Sequence, residues 1–531
     1  MMSLITNLQN SALFDHPVKQ FEVIETHISW VLLTGDYAYK IKKPVDYGFL
    51  DFSTLEKRHY FCKEELRLNR RLAPELYLDV VSIRGTEEQP IFTGTLPVIE
   101  YAVKMRQFPQ EVQLDRILEA QGITPEIAEK IADKVARFHL SIKSATNDQE
   151  YGDLEHIRQP VLENFKHIQT SLTKLDETAS QLPVQTVSHS LELLEGWSKK
   201  HLESLSSFFQ FRKQRGFVRE CHGDMHLRNI ALWNNDIVIF DCIEFNKNFY
   251  WIDVVSEIAF LLMDLEDRRQ QLLAMRFLNA YLEITGDYEG IKLLRFYKVY
   301  RAMVRAKVNA LRILQEDPQS EEYAQTCKDF FQYLNLAEKY VQPVAPCLLI
   351  NHGLSGSGKT YSATLILEKY PAIRVRSDVE RKRIFNIDTN EKPHNEIEQG
   401  IYSKEATQKT YARLVDIAKC LLQAGYTVII DAANLKSEQR RLFIDLAKSL
   451  QLPYFILAYE ANVNVLRQRV KSRAEQGSDA SDATLNILEH QIEEYQPFLP
   501  EEEPFVINID TCKAIDVDKI IKFIQTSAIK F

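Results

Sequence analysis

The sequence predicts two architectures in one chain. An α+β bilobal domain occupies residues 1–340, and an α/β domain with a parallel sheet flanked by helices occupies 347–531, with a linker at 341–346. Three observations carry this prediction. Pro343 and Pro346 interrupt a long helical pattern, because proline lacks the N–H a helix needs and clashes with the preceding turn. Upstream of them, short strand-like segments give way to a mostly helical remainder. Downstream, apolar runs and helical stretches alternate, the rhythm of parallel strands joined by helices.

The elements follow in order. Residues 21–28, 30–35 and 37–43 read as three strands, with Thr34-Gly35-Asp36 turning between the last two. Residues 54–72 read as a helix with Thr54 as N-cap and Glu56 in the first turn. Residues 96–108 return to strand and complete a small lobe of about 1–105. A helical lobe of about 106–340 follows, interrupted by a segment around 219–230 and by the strand Ile237–Phe240. In the second domain, strands are expected at Cys347–Gly353, Ile373–Asp378, Thr427–Ala432, Tyr454–Glu460 and Pro504–Asp510.

A chain of 531 residues is too long for one core and implies several domain-sized units. Its 45% hydrophobic and 26% charged residues are ordinary for a soluble globular protein. The net charge of −9 argues against whole-surface binding to nucleic acid, while leaving room for a local basic groove. The N-terminus has no basic start followed by an apolar run, and no stretch approaches a membrane span. Seven scattered cysteines without a CxxC pair suggest reduced thiols and a cytoplasmic protein. Cys221 and His226 lie close together, but no second Cys/His pair completes a zinc site.

The segment His222-Gly223-Asp224-Met225-His226-Leu227-Arg228-Asn229 matches the catalytic loop of a kinase-type fold. That pattern needs an aspartate, four residues, an asparagine, and then a metal-binding aspartate after an apolar strand. Asp224, Asn229 and Asp241 supply them. Asp224 would orient or deprotonate an acceptor hydroxyl, and Asn229 and Asp241 would hold Mg²⁺ on the ATP phosphates. Lys40, on an apolar strand, is the candidate for the α- and β-phosphates, and Lys42 on the same strand face competes with it. Glu65, or else Glu64, is placed on the next helix to pair with the lysine.

This set resembles the aminoglycoside phosphotransferase family over roughly residues 20–340. The resemblance implies a kinase-like bilobal fold and phosphorylation of a small-molecule hydroxyl. It makes Asp224 the catalytic aspartate, Asn229 and Asp241 the metal ligands, and Asp253 a structural aspartate. Two departures stand out. The first strand turn, Thr26-His27-Ile28-Ser29, has no glycine-rich lid, and the metal aspartate is followed by Cys242-Ile243-Glu244. His222 and His226 read as supports for the loop. Arg301 and Arg305, at i and i+4, read as a solvated face or internal ion pairs ahead of an acceptor site.

Gly353-Leu354-Ser355-Gly356-Ser357-Gly358-Lys359-Thr360 fits the P-loop pattern and has the required strand before and helix after. Gly353, Ser355, Gly356, Ser357 and Gly358 would let backbone N–H groups surround ATP phosphates, Lys359 would reach the β- and γ-phosphates, and Thr360 would ligate Mg²⁺. Asp378 is placed as general base on a second acceptor, and Arg381 as a clamp on an acceptor phosphate. Asp431, ending a buried strand, is a metal-shell or acceptor-orienting carboxylate. Arg469 and Arg473 share a helical face able to close over the γ-phosphate. Residues 477–483 read as a mobile loop ending in a helix N-cap.

Together these features resemble P-loop kinases related to phage polynucleotide kinase and to zeta-toxin-type kinases, over residues 347–531. Asp378 and Arg381 match that family's Asp-x2-Arg step, and Asp431 with Asn434 matches its next motif approximately. The sequence therefore leads to a bifunctional ATP- and Mg²⁺-dependent kinase with two ATP sites. The first acceptor would be a small molecule and the second a nucleotide or nucleic-acid 5′-hydroxyl. The competing expectation makes the N-terminal domain a regulatory ligand-binding module over a P-loop kinase or nucleic-acid-binding ATPase.

Overall fold

The computed structural model describes residues 1–48, 50–177, 184–387, 400–476 and 484–528. They form two compact units, Met1–Arg268 with Phe296–Val341, and Arg269–Arg295 with Gln342–Phe531. None of the seven cysteines is in a disulfide. Among the described residues no helix is long and apolar enough to cross a membrane.

The first unit has the kinase-like bilobal fold. Its small lobe is a six-stranded antiparallel sheet ordered β1-β2-β3-β6-β4-β5. The strands are β1 Glu22–Glu25, β2 Ser29–Leu33, β3 Tyr37–Lys42, β4 Tyr77–Gly85, β5 Pro90–Ile91 and β6 Val98–Arg106. The helix Leu55–Asn69 starts where expected, with the Thr54 hydroxyl accepting from Lys57 N–H. Strand period two sends Tyr39 and Ile41 to a core with Leu4 and Ile5 of the helix Met2–Asn7 and its C-cap Leu8. It sends Ala38 to the other face, against Cys62 of the Leu55–Asn69 helix. Lys40 and Lys42 share that second face, so both lysines point at the helix that carries Glu65.

Two antiparallel ribbons carry the large lobe's site segments: β7 Val218–Glu220 with β10 Trp251–Asp253, and β8 Ile230–Trp233 with β9 Asp236–Ile239. The helix Val254–Asp267 is buried along nearly its whole length and forms the lobe's floor.

The second unit has the P-loop fold. Its parallel sheet consists of β11 Leu348–His352, β12 Ile373–Arg376, β13 Val428–Asp431, β14 Tyr454–Glu460 and β15 Val506–Asp510, ordered β12-β13-β11-β14-β15. The chain leaves central β11 first to one side and later to the other. That reversal opens a crevice at the carboxyl end of β11, where the P-loop begins. Each expected strand is present, with one change: Ser377 and Asp378 open the helix Ser377–Ile384 instead of ending β12.

The unit boundary also differs from the sequence reading, which placed residues 269–295 in the first domain. The helix Gln271–Thr285 packs on the P-loop sheet instead. Asn279 donates to Ala372 O at 3.0 Å and accepts from Arg374 N–H at 2.7 Å, satisfying backbone groups at the start of and within edge strand β12. Glu283 pairs with Arg376 at 2.7 Å and with Arg374 at 3.4 Å. Helical periodicity shows that one face is covered but not by what, so this docking was invisible in the sequence.

Candidate active sites

In the first unit, β3 and the Leu55–Asn69 helix bring together two lysines and one glutamate. Lys40 Nζ lies 2.8 Å from Glu65 Oε1 and 2.6 Å from Asp241 Oδ1. Lys42 Nζ lies 2.6 Å from Glu65 Oε2 and also bonds Glu244. Burial alone would raise the Glu65 carboxyl, but the two ammonium groups outweigh it and hold it down to about 2. Burial likewise opposes the charge on Lys40, yet Asp241, Glu65 and Glu244 keep its ammonium well above the usual range. The lysines differ in access: Lys42 is 1% exposed and locked between two carboxylates, whereas Lys40 is 13% exposed at the open end. Glu64 pairs instead with Arg67.

The loop carrying Asp224 is fixed from beneath. Glu257 accepts from His222 N–H at 2.8 Å and from Gly223 N–H at 2.7 Å, and His139 Nε2 lies 3.1 Å from the same carboxylate. Burial would raise Glu257, but His139, His222 and the loop N–H groups bring it to about 2. Asp264 accepts from Leu227 N–H, and Arg301 donates to Gly223 O at 3.1 Å. Gly223 has φ +90°, and a Cβ there would stand 2.6 Å from Phe249 O, so the loop needs glycine. Asp253 is a structural brace: it accepts from Arg212 at 2.6 and 2.9 Å and caps the Val254–Asp267 helix.

At the surface of this frame, Asn229 Nδ2 donates to Asp224 Oδ2 at 3.1 Å, and His226 Nε2 lies 3.3 Å from the same oxygen. Burial pushes the Asp224 carboxyl up, but His226, His222 and Arg305 hold it well below the usual range. Asp241 adopts φ +60°, its N–H donating to the Tyr77 hydroxyl at 3.1 Å. The residues after Asp241 are held locally: Ile243 N–H donates to His222 O, and Cys242 N–H to the Asn69 side-chain carbonyl. His222 reaches Phe240 O at 2.9 Å, as a support should. Arg301 is buried, and Arg305 donates to the Tyr333 hydroxyl, so the pair works inside the lobe. Sequence reasoning missed Glu257, His139, Glu244 and Tyr77. Glu257 had one signal, its i+4 spacing from Asp253.

In the second unit, the P-loop joins β11 to the helix Lys359–Leu367. Gly356 has φ +79°, and a Cβ there would meet Leu466 O at 2.9 Å. Gly358, in the left-handed region, precedes the helix, and Ser357 is buried. Lys359 Nζ donates to Gly353 O at 2.8 Å and Leu354 O at 2.9 Å. Thr360 is the next helical residue and is partly exposed.

Asp378 stands in the first turn of its helix, near Arg381, Arg376 and Asp431 in charge terms, and burial pushes its carboxyl up despite the arginines. Arg381 donates to Ile401 O at 2.8 Å and Thr407 at 3.2 Å, and its Nε is buried without a partner among the described residues. Asp431 accepts from Asn351 at 3.1 Å through one oxygen, and its other oxygen has no partner among the described residues. Asn434 is buried and donates to Asn351 O. Arg469 is tied to Thr511 O at 2.7 Å and to Gly356 O at 3.3 Å, which places it on the P-loop. The Arg473 side chain and the 477–483 segment lie outside the described residues; the helix Leu485–Glu493 that follows is capped by Thr484.

Residues 348–498 match the family model described as an AAA domain. Two relatives, named as uncharacterized proteins of Mycobacterium tuberculosis and Mycobacterium bovis, are 28% identical over 473 residues, covering 88% of this chain and 89% of theirs. An alignment that long runs through both units. Among solved structures, Mycobacterium tuberculosis APS kinase CysC in complex with AMPPNP and APS is similar at 20% identity and TM-score 0.27, covering 35% of this chain and 99% of that one. A choline/ethanolamine kinase family protein from Mesorhizobium loti is similar at 11% identity and TM-score 0.35, covering 64% and 100%.

Proposed function

We propose that the chain is a two-site phosphotransferase, each unit moving the γ-phosphoryl group of ATP to a hydroxyl. The observation that carries this reading is the completeness of the first site. Lys40, Glu65 and Asp241 form one charged cluster, beside an Asp224–Asn229 pair braced by Glu257. A scaffold that had lost catalysis would have no need to keep every charged member in register.

In the first site, Lys40 holds the α- and β-phosphates while Lys42 stays locked in the protein. The acceptor, a small molecule, presents its hydroxyl to Asp224. Its oxygen bonds to the γ-phosphorus, Asp224 takes the proton, and ADP leaves with the electrons of the broken bond. In the second site, Asp378 takes the proton, Lys359 and Arg469 face the transferring group, and Arg381, whose Nε has no partner among the described residues, holds an anionic group of a nucleotide or nucleic-acid acceptor. The donor chemistry fits Mg²⁺ in both units. Asn229 and Asp241 offer oxygens, and Asp241 already faces a cation in Lys40; Thr360 and the unpartnered oxygen of Asp431 offer the same. When bound, the ion supplies neutralisation of phosphate charge.

The test is transfer from γ-labelled ATP to nucleosides, oligonucleotides, sugars and aminoglycosides, by the wild type and by Asp224→Ala and Lys359→Ala. Two acceptors, each lost in a different variant, are expected. Full retention of every activity in Asp224→Ala would make the first unit regulatory.

A further inference from the structure

The P-loop carries a contact that phosphate chemistry does not explain by itself. Ser355 N–H, one of the loop's backbone donors, gives its hydrogen bond to the side-chain carbonyl of Gln491 at 2.8 Å. Gln491 belongs to the nine-residue helix Leu485–Glu493. The amide's orientation follows from the partner, since only its oxygen can accept from an N–H. Apolar contacts hold the helix near the loop. Leu488 is buried with Leu466 and Val470 of the helix Val463–Gln476, and Leu354 of the P-loop and Ile492 pack against the same cluster. On the exposed side, Arg467 and Glu489 join the two helices at 2.7 Å.

We propose that Gln491 is a phosphate stand-in that tunes nucleotide affinity at the P-loop: its carbonyl occupies Ser355 N–H and is exchanged for a phosphate oxygen when nucleotide binds. The inference rests on reading the loop as a nucleotide site. A backbone N–H buried without an acceptor is costly, so an empty loop benefits from a partner. A neutral amide oxygen satisfies the donor, yet a charged phosphate oxygen makes a stronger bond and displaces it. Glutamate in the same place would bind the amide with a full charge and repel the incoming phosphate. Of the neighbouring acids, Glu489 is bonded to Arg467 and Glu494 to Lys436. The residue that faces the P-loop amide is the uncharged one.

The experiment is a calorimetric titration of the full chain with Mg·ATP. The component lost in Lys359→Ala reports the P-loop site. In Gln491→Met, which keeps side-chain length but has no amide oxygen, that component is expected to tighten roughly three- to tenfold, the worth of one competing hydrogen bond. Gln491→Ala should tighten it likewise, and Gln491→Glu should weaken it by about tenfold or more. A residue that merely packed the helix, or that held nucleotide directly, would give weaker binding in the methionine variant. Unchanged or weakened binding there overturns the proposal. Absence of any component lost in Lys359→Ala overturns the nucleotide reading of the loop itself, a separate and distinguishable failure.

Discussion

The two units hold their candidate phosphate-binding groups in opposite ways. The first assembles side-chain charges from distant parts of the chain: Lys40 meets Asp241 across 201 positions, and Glu65 closes the triangle. The second gathers backbone N–H groups in eight consecutive residues, aligned by glycines and a helix start. Side-chain charges need a preformed counter-charge to survive burial, so the first site is built as an ion-pair network. Backbone donors need only an acceptor, so in the second a neighbouring glutamine accepts from Ser355 N–H, while the loop's own lysine donates to its carbonyls. The first site should therefore couple catalysis to stability, and the second should separate them.

The largest expected effects are catalytic. Asp224→Ala should lower first-site turnover by about 10²- to 10⁴-fold, the range for a lost general base. Lys359→Ala should lower second-site turnover by about 10²-fold or more. Each is read as the rate of labelled phosphate transfer, with the other site's rate as internal control. Loss of both rates from one substitution would break the two-site comparison.

The next contrast lies within the first site. Lys42→Ala leaves Glu244 buried without its cation, which should destabilise the first unit by about 3–5 kcal/mol. Lys40→Ala leaves Glu65 still paired with Lys42, so its stability loss should be smaller and its loss of turnover larger. All four tryptophans (Trp30, Trp197, Trp233 and Trp251) lie in the first unit, so urea unfolding followed by their fluorescence reports it selectively. Equal stability losses in the two variants would assign the phosphate-binding role to neither lysine.

That contrast shows what was legible beforehand. Strand alternation put Lys40 and Lys42 on one face, and motif spacing found Asp224, Asn229 and Asp241, because these depend on neighbours in sequence. The choice between the lysines depends on Glu244 closing over one of them, a contact that no local pattern encodes. Glu257 went unread for the same reason: its work is to accept two backbone N–H groups from a loop more than thirty residues away. The P-loop pattern was legible because it is a contiguous segment between a strand and a helix, whereas Gln491, which bonds it, arrives from 136 residues downstream.

Acid should separate the units by pH window. In the second unit, burial drives His352 down to about 4 from its usual 6.5, with Nδ1 at 2.9 Å from Asn434 O. A histidine kept neutral in the fold protonates first in the unfolded chain. Its contribution is complete above about pH 6.5 and is lost as pH falls towards 4, on the order of 3 kcal/mol. In the first unit, Glu65 and Glu257 are held at about 2, so their contribution is full above pH 4.5 and is lost as pH falls towards 2. Hydrogen exchange across this range should show the second unit loosening before the first, and His352→Asn should flatten the earlier limb. Simultaneous loosening of both units would contradict these assignments.

The smallest effect tests where the second unit ends. Asn279 offers one amide to Arg374 N–H of β12, the edge strand of the P-loop sheet, and to Ala372 O just before that strand. Asn279→Ala removes both bonds at once and leaves a carbonyl and an N–H beneath a helix that still covers them. One such unsatisfied group costs about 1–3 kcal/mol, and small relaxations or an entering water would place the total near the lower end. The loss should appear as faster amide exchange at Arg374, with tryptophan-monitored unfolding of the first unit unchanged. Asn279→Asp should restore the acceptor for Arg374 N–H but not the donor for Ala372 O, giving protection at Arg374 between wild type and alanine. If alanine leaves Arg374 exchange untouched, the helix is a neighbour of the sheet instead of part of its edge, and the P-loop unit begins after the linker.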